Sequence, residues 1–145
     1  LHLLIGNVFE DLHAGAESKQ IQLVNQTQPD ITLQADPGAM VQILTNLVEN
    51  AIRHIPDQSK VVVRSERVDG RAILYVEDDG PGIAPKYRNR VFERFFRVDK
   101  GRARSVGGTG LGLSIVRHLV ESMGGEIRVE ESSEGGACFV ISLDC

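Results

Sequence analysis

Three polar residues share one face of a helix predicted for residues 40–55. Asn46, Asn50 and Arg53 stand four and three residues apart, so a helix places them in one stripe, with His54 at its edge. Asn is a poor helix former compared with the Lys, Glu and Gln of an ordinary solvated face. Its side-chain oxygen can bind Mg²⁺, and its amide can donate to a phosphate. The stripe is therefore either a solvated face or a metal and phosphate site.

An acidic residue followed by two glycines stands where a predicted strand ends. Asp78 closes a run rich in Val, Ile and Tyr, and Gly80 and Gly82 follow it. A carboxylate beside backbone that lacks Cβ atoms can accept from the exocyclic amine of a flat ring packed against the chain. Asp-Gly and Pro-Gly are also common turn pairs, so the motif alone fits a plain turn equally well.

A third segment, residues 107–112, reads Gly-Gly-Thr-Gly-Leu-Gly and opens a predicted helix. Backbone N–H groups at such a start point toward an anion, and the helix dipole assists them. The segment is neither a P-loop nor a dinucleotide fingerprint, because no Lys-Ser or Lys-Thr follows and no strand leads directly into it. A phosphate-binding loop and a flexible hinge are the two interpretations.

Composition and charge restrict the class of protein. The 145 residues are 41% hydrophobic and 25% charged, which is typical of one globular domain. No apolar run reaches the ~18–20 residues of a membrane span, and no secretory signal is present. The formal net charge of -4 argues against nucleic-acid binding. Cys138 and Cys145 lack metal-ligand spacing, which favours free thiols in a reducing compartment.

Positive charge is concentrated in residues 86–104. The segment is either a disordered basic stretch or a landing site for phosphates. Its basic residues are Lys86, Arg88, Arg90, Arg94, Arg97, Lys100, Arg102 and Arg104.

Helices and strands that would position these residues follow from periodicity and turn signals. Helices are predicted at 1–19, 40–55, 91–96 and 111–123, and strands at 21–25, 31–35, 60–68, 71–77, 126–131 and 137–143. Turns at Pro29-Asp30 and Asp69-Gly70 would make hairpins of the first and second strand pairs. Residues 99–108 are predicted to form a mobile loop. Asp36 and Pro37, just upstream of the 40–55 helix, are predicted as its N-cap and first helical residue. The predicted apolar face of this helix is Val41, Leu44, Leu47, Val48, Ala51 and Ile55.

In order, four motifs resemble the asparagine, first glycine, phenylalanine and second glycine boxes of the sensor histidine kinases. They are residues 46–51, 78–83, 91–97 and 108–113, and residues 135–139 look like a loosened last glycine box. The resemblance covers nearly the whole chain. It implies a single ATP-binding catalytic domain over 1–145, of the GHKL or Bergerat-fold superfamily. That fold is an α/β (α+β) two-layer sandwich, a mixed sheet of about five strands on three helices with a mobile ATP lid.

The resemblance also implies roles toward Mg²⁺ and the phosphates of ATP. Asn50 would hold Mg²⁺, Asn46 would support the phosphates, and Arg53 would reach them. Arg94 and Arg97 would stabilise charge on the transferring phosphoryl group, with Asn46 as the third catalytic residue. The lid residues that would wrap the triphosphate are Gly108, Thr109, Gly110, Leu111 and Gly112.

The base of the nucleotide would lie on the other side of the site. Asp78 would accept from the adenine amino group, and Gly80, Gly82 and Ile83 would lie beside the ring. His54 takes the place of an aromatic residue that commonly packs on the adenine.

The implied activity is transfer of the γ-phosphoryl group of Mg-ATP to a histidine on a dimerisation helix, and onward to an aspartate of a response regulator. None of His2, His13, His54 and His118 lies in the acceptor motif, so the acceptor is expected outside this chain. The implied partners are the dimerisation and histidine-phosphotransfer domain and a receiver domain, not nucleic acid. We expect a monomeric fragment, a homodimeric parent in a bacterial inner membrane, and a cytoplasmic location for this domain.

Two rival interpretations use the same motifs. A degenerate module would bind ATP or nothing and serve in regulation, but Asn50, Asp78 and the lid glycines are intact. A serine kinase of the anti-sigma-factor type shares the nucleotide boxes, but the long phenylalanine box and the arginine-rich lid favour a histidine kinase.

One position predicts weak ATP hydrolysis. Related ATPases of the gyrase and mismatch-repair type carry a water-activating glutamate four residues before the metal asparagine, and this chain has Asn46 there. Glu49 is rotated about 100° from Asn50 and is a poor substitute. We expect Asn46→Glu to raise steady-state ATP hydrolysis only slightly, if at all. A fast wild-type ATPase in the same phosphate-release assay would contradict the kinase assignment.

Overall fold

The computed structural model describes residues 1–98 and 108–145, so the predicted 99–108 loop lies outside the described residues as far as Gly107. Within them, three α-helices pack on a five-stranded sheet, which confirms the predicted two-layer sandwich. The helices are α1 (His2–Ser18), α2 (Pro37–His54) and α3 (Gly112–Ser122). The strands are β1 (Gln22–Gln26), β2 (Lys60–Val68), β3 (Arg71–Asp78), β4 (Glu126–Glu131) and β5 (Ala137–Asp144).

The sheet is mixed, with strand order β1-β2-β3-β5-β4. β1 and β2 are parallel and are connected through α2, whereas the other neighbouring pairs are antiparallel. The β2–β3 hairpin turns at Asp69 and Gly70, which have φ angles of 51° and 80°. These left-handed values are those of the predicted two-residue turn. The last strand of the chain thus lies inside the sheet, between β3 and β4.

Buried and more exposed residues alternate along the strands, so the sheet has one face covered by the helices and one outer face. On β2, Val61 and Val63 are fully buried under the helices, while Val62 and Arg64 lie on the other face. On that outer face Arg64 lies 3.6 Å above the centre of the Tyr75 ring. The periodic burial confirms the strand predictions for residues 60–77.

The outer face also contains one of the two cysteines, both of which are free. Cys138 lies opposite Glu77 in the β3–β5 ladder and is buried. Burial, followed by the charge of Glu77, raises the pKa of Cys138 to about 12. The thiol is therefore protonated at neutral pH and a poor nucleophile.

α2 packs against α1, α3 and the sheet, and its buried face is broader than predicted. Leu47 and Val48 are completely buried, as expected, and so is Ile43. Val41 was placed on this face by periodicity, but it is 41% exposed. The prediction for Val41 is wrong because the first turns of α2 bury Met40 and Ile43 instead, which leaves Val41 at the edge of the buried face.

The hairpin predicted for residues 21–25 and 31–35 is also wrong. β1 exists, but it pairs in parallel with β2 instead, and residues 31–35 form no strand. Ile31 is buried and Leu33 packs against the core, so the apolar alternation reflects core filling rather than strand pairing. The segment is attached to the end of β5, where the Gln34 N–H donates to the Asp144 carbonyl oxygen at 3.1 Å.

The helix predicted for residues 91–96 is reduced to a short 3-10 turn, Arg90–Phe92, which follows another such turn, Pro85–Tyr87. Glu93 returns to extended backbone, and Phe95 adopts a left-handed φ of 62°. Phe92 is buried, but Phe95 is 70% exposed. The chain leaves the helical path here because the Phe95 N–H donates to the Gly110 carbonyl oxygen at 2.8 Å.

Candidate functional site

α2 begins with a capped first turn and carries the asparagine stripe inward. Asp36 accepts from the Ala39 N–H at 2.7 Å, and Pro37 is the first helical residue, as predicted. Asn46 and Asn50 are both half-buried. The stripe is therefore more enclosed than the solvated-face interpretation requires.

Asn46 supplies the most direct sign of a ligand site. Its Nδ2 atom is buried and has no hydrogen-bond partner in the described part of the chain. Leaving such a donor unpaired costs about 1–3 kcal/mol. A Cβ atom on Gly112 would lie 3.9 Å from Oδ1 of Asn46, so the amide faces the start of α3. α3 has no side-chain N-cap, and its first N–H groups have no intrahelical acceptor.

Arg53 and His54 end α2 at the same side of the molecule. A Cβ atom on Gly108 would lie 3.0 Å from Nη1 of Arg53, and Gly108 has a φ of 100°. The left-handed φ favours glycine at this position, and the Arg53 guanidinium lies directly beside it. Partial burial, then the charges of Arg53, Lys19 and Arg97, lower the pKa of His54, although the residue as a whole is exposed. His54 is thus mostly uncharged at neutral pH, in a neighbourhood rich in cations.

Asp78 lies at the end of β3 with its carboxylate held by backbone. Its Oδ1 atom accepts from the N–H groups of Gly80 at 2.9 Å and Ala137 at 3.2 Å. Burial raises the pKa of Asp78 above its ordinary value, the two N–H groups oppose that rise, and Asp79 adds to it. Within residues 1–98 and 108–145, both of its hydrogen bonds go to Oδ1. Oδ2 is therefore the oxygen available to accept from a ligand.

Glycines allow the backbone to pack this closely around Asp78. A Cβ atom on Gly136 would lie 2.1 Å from the Asp78 carbonyl oxygen and 2.5 Å from Oδ1, so no larger residue fits. Gly82 has a φ of 73°, and a Cβ there would meet the Gly135 carbonyl oxygen at 3.1 Å. Ile83 beside it is half-buried. Gly136 and Ala137 were missed as site residues, although the Gly-Gly pair before β5 was the available signal.

The phenylalanine and second glycine motifs are joined by backbone. Besides the Phe95–Gly110 hydrogen bond, a Cβ atom on Gly110 would lie 2.9 Å from Cα of Phe95. Thr109 accepts through Oγ1 from the Leu111 N–H at 3.3 Å. The part of the predicted lid from Gly108 onward is thus fastened to the phenylalanine motif.

The basic segment divides between several environments. Arg97 donates to the carbonyl oxygen of Gly108, whereas Arg94 is exposed. Arg90 lies 4.5 Å above the Phe96 ring and Lys86 4.9 Å above the Tyr87 ring, so these two cations make aromatic contacts. Arg88 donates to the Ile83 carbonyl oxygen at 3.2 Å. Lys100, Arg102 and Arg104 lie outside the described residues.

The structure therefore brings the asparagine stripe, Arg53 and Gly108 together on one side, and the Asp78 corner on the other. The family described as histidine kinase-, DNA gyrase B-, and HSP90-like ATPase matches residues 35–145, a range that includes all of these features. The chain belongs to this family.

Relatives within the family include sensor kinases. The sensor-like histidine kinase SenX3 of Mycolicibacterium smegmatis is 39% identical over 128 residues, which is 88% of this chain and 33% of SenX3. The sensor protein SrrB of Staphylococcus aureus is 40% identical over 108 residues, 74% of this chain and 18% of SrrB. The chain thus spans a third or less of these relatives.

Solved structures of the family have the same fold. The catalytic domain of histidine kinase ThkA in its nucleotide-free form superposes with a TM-score of 0.86 and 29% identity, covering 99% of this chain and 91% of ThkA. Full-length ShkA in complex with AMPPNP gives 0.84 and 34%, covering 98% and 29%. A ThkA structure in complex with the response regulator protein TrrA gives 0.82 and 28%, covering 99% and 40%.

Two features of the described residues bear on metal binding and on membrane crossing. No group of three or more His, Cys, Asp and Glu side chains comes together to hold a metal ion. Asn50, which family resemblance assigns to Mg²⁺, is a neutral oxygen ligand and would need phosphate oxygens to complete a metal site. None of the described helices combines the length and the apolar character that crossing a membrane requires.

The half-buried Asp78 carboxyl predicts a pH-dependent difference in stability between the wild type and Asp78→Asn. Because folding raises the pKa of Asp78, the protonated carboxyl stabilises the folded state. This stabilisation is complete below the unfolded-state pKa of 3.8 and is lost as pH rises through the folded-state pKa. Asp78→Asn keeps an oxygen for the same two N–H donors but does not ionise. We expect the unfolding free energy of Asp78→Asn, relative to wild type, to increase as pH rises from 4 to 7.

Urea denaturation across that pH range measures the difference. Asp69→Asn, at the exposed tip of the β2–β3 hairpin, is the control for loss of one negative charge. If the unfolding free energy of the wild type instead increased relative to that of Asp78→Asn as pH rises, the assignment of Asp78 as a desolvated carboxylate would be contradicted.

Proposed function

We propose that this chain binds Mg-ATP and transfers the γ-phosphoryl group to a histidine on a dimerisation helix outside the chain. The observation that carries the proposal is the shared position of two half-sites at the end of α2. Arg53 contacts Gly108 of the lid, while Ile55 contacts Gly80 beside Asp78, at 2.7 Å from a Cβ built on that glycine. One helix end therefore joins a phosphate side to a base side.

The base side suits adenine. The carboxylate of Asp78 has one oxygen fixed by backbone and another that can accept from the exocyclic amine. Gly82 and Ile83 would lie against the ring. The backbone packs closely around Gly82, which has no side chain, so a flat ligand meets no obstruction at this position. Xanthine and guanine rings present a carbonyl at the equivalent edge, which a carboxylate would repel.

The phosphate side suits a polyanion with Mg²⁺. Nδ2 of Asn46 is a buried donor that needs an acceptor, and Arg53 adds a fixed positive charge. Gly108, Thr109, Gly110, Leu111 and Gly112 would supply backbone N–H groups. Asn50 would contribute a ligand to Mg²⁺, which when bound neutralises charge on the phosphate oxygens.

Transfer would depend on positioning and charge stabilisation. The bond from the γ-phosphorus to the bridging oxygen breaks as a bond to the acceptor imidazole nitrogen forms, and ADP leaves. Arg97 is held at Gly108, and Arg94 is exposed where an acceptor could approach, so both could stabilise charge on the moving group. The phosphoryl group would then pass to a receiver-domain aspartate. The parent would be a homodimer in a bacterial inner membrane, with this domain in the cytoplasm.

Nucleotide binding can be tested on this chain by isothermal titration calorimetry of ATP with and without Mg²⁺. We expect Mg²⁺-dependent binding by the wild type. Asp78→Asn should weaken it at least tenfold, since a lost hydrogen bond to a charged group costs ~1.5–3 kcal/mol. Asn50→Ala should remove most of the Mg²⁺ dependence. Asn7→Ala, on the exposed side of α1, is the matched control. No binding by the wild type would favour a degenerate regulatory module.

The chemistry of transfer can be tested by supplying the parent's dimerisation and histidine domain as a separate protein with ATP. We expect acid-labile, base-stable phosphate on that domain, and none on this chain incubated alone. Arg97→Ala should slow transfer about 10²-fold or more, as for loss of a group that stabilises transition-state charge. Acid-stable phosphate on the acceptor would instead favour the serine kinase interpretation.

A further inference from the structure

The end of α2 is held by a side chain from another helix. Lys19, the residue after α1, donates from Nζ to the carbonyl oxygens of Ile52 at 2.6 Å and Ile55 at 2.7 Å. The Ile52 carbonyl has no helical partner, because the residue four positions later is Pro56, which lacks an N–H. A cation here also complements the negative end of the helix dipole. Lys19 is therefore a C-terminal cap supplied by α1.

The two carbonyls held by Lys19 flank the residues on which the site depends. Arg53 follows Ile52 directly and contacts Gly108 at the lid. Ile55, which is 3% exposed, packs against Gly80 beside Asp78. One ammonium group thus holds the backbone on both sides of Arg53 and His54. A shift of this backbone would move the phosphate side and the base side together.

The connection between the two helices does not depend on the ammonium group alone. The Gln58 N–H donates to the Lys19 carbonyl oxygen at 2.9 Å, and the Gln22 N–H donates to the Ser59 carbonyl oxygen at 3.0 Å. Gln58 also donates through Nε2 to Oε1 of Gln20 at 3.1 Å. These bonds would keep the segment after α1 against the segment after α2 when the Lys19 side chain is shortened. A Lys19 variant is therefore expected to fold.

The charge of Lys19 caps α2, but it also belongs to a cluster of cations around His54. Asp11 and Glu49 line the same cleft between α1 and α2, of about 580 Å³, but the described residues contain no ion pair between Lys19 and an acidic side chain. Its charge instead adds to those of Arg53 and Arg97 around His54. Gathered like charges are unfavourable unless an anion binds near them. This arrangement is expected of a ligand site rather than of a simple helix cap.

We propose that Lys19 is a positioning residue of the nucleotide site, which fixes the end of α2 and adds positive charge behind Arg53. The inference rests on the proposed function, because it names a further residue for the same site. Lys19 does not itself touch the nucleotide. It acts through the backbone of Ile52 and Ile55, and through its field at Arg53.

The test compares Mg-ATP affinity in Lys19→Met, Lys19→Arg and Lys60→Met, all titrated by calorimetry. Lys19→Met keeps the aliphatic stem but loses the donors and the charge, and we expect its Kd to rise roughly five- to tenfold. Lys19→Arg keeps both and should restore affinity to within about twofold. Lys60→Met removes a partly exposed lysine that lies 3.9 Å from Glu134, and it should bind as the wild type does.

A second measurement separates positioning from general stability. Removing a neighbouring positive charge favours the protonated imidazole, so Lys19→Met should raise the pKa of His54 in an NMR titration. The exposed His118 of α3 is the internal control in the same spectra. Circular dichroism checks the fold, and Lys19→Gln, which retains an amide donor but no charge, replaces Lys19→Met if the latter is unfolded.

The outcomes are distinguishable. Unchanged Mg-ATP affinity in Lys19→Met, beside normal wild-type binding, would overturn this inference alone. A loss that Lys19→Arg does not restore, or that leaves His54 titrating as before, would also overturn it, because the contact would then be only structural. A wild type with no affinity for Mg-ATP would overturn the proposed function and this inference with it.

Discussion

A half-buried carboxylate at the end of β3 fixes how the strand ends are arranged around the candidate site. Removing Asp78 from water disfavours its charged form, and the N–H groups of Gly80 and Ala137 recover part of that cost. The second of these donors is 59 residues away in sequence, so the strand that carries it must lie directly beside β3. Gly136 then has to be glycine, because the Asp78 carbonyl oxygen occupies the place of its side chain. The hydrogen bonds of one oxygen thus account for the last glycine motif and for the start of β5 beside the end of β3.

A second constraint acts on α2. Over the same few turns, the helix must present apolar residues to the core and polar residues to the candidate site. Leu47 and Asn46 are adjacent, and the first is completely buried in the core while the second leaves a buried amide without a partner. An apolar residue in place of Asn46 would remove that unfavourable term. The sequence therefore gives up some stability at Asn46, which is the usual mark of a residue retained for binding.

Local chemistry was the part of this fold that the sequence could predict. The Asp36 cap, the Asp69-Gly70 turn and the four motifs depend on neighbouring residues only, and the structure has the cap and the turn as expected. The strand at 31–35 failed because apolar alternation does not distinguish strand pairing from a segment that fills the core edge. The helix at 91–96 failed because a distant acceptor, the Gly110 carbonyl oxygen, redirects the chain.

The same distinction explains which site residues the sequence could not provide. Asp78 and the lid glycines stand out by type and spacing, whereas Lys19 is an ordinary lysine at the end of an amphipathic helix. Its role depends on the 2.6 Å and 2.7 Å contacts with a helix that begins 18 residues later. Gly136 stands in a recognisable Gly-Gly pair, but its contact with Asp78 follows only once β5 is placed beside β3. Long-range contacts of this kind follow from topology, and periodicity carries no information about them.

The position of β5 within the sheet has a consequence for how the chain matures during synthesis. Within residues 1–98 and 108–145, β4 pairs only with β5, and β3 offers one edge to β5, so neither contact can form until β5 has left the ribosome. α1, β1, α2 and the β2–β3 hairpin can associate earlier, but the Asp78 corner lacks the Ala137 N–H until then. Until β5 emerges, a nascent chain therefore exposes an unpaired edge of β3, which is the kind of surface that chaperones shield. The proposed nucleotide site lacks the Ala137 N–H at that stage, so nucleotide could not assist the steps of folding that precede the pairing of β5.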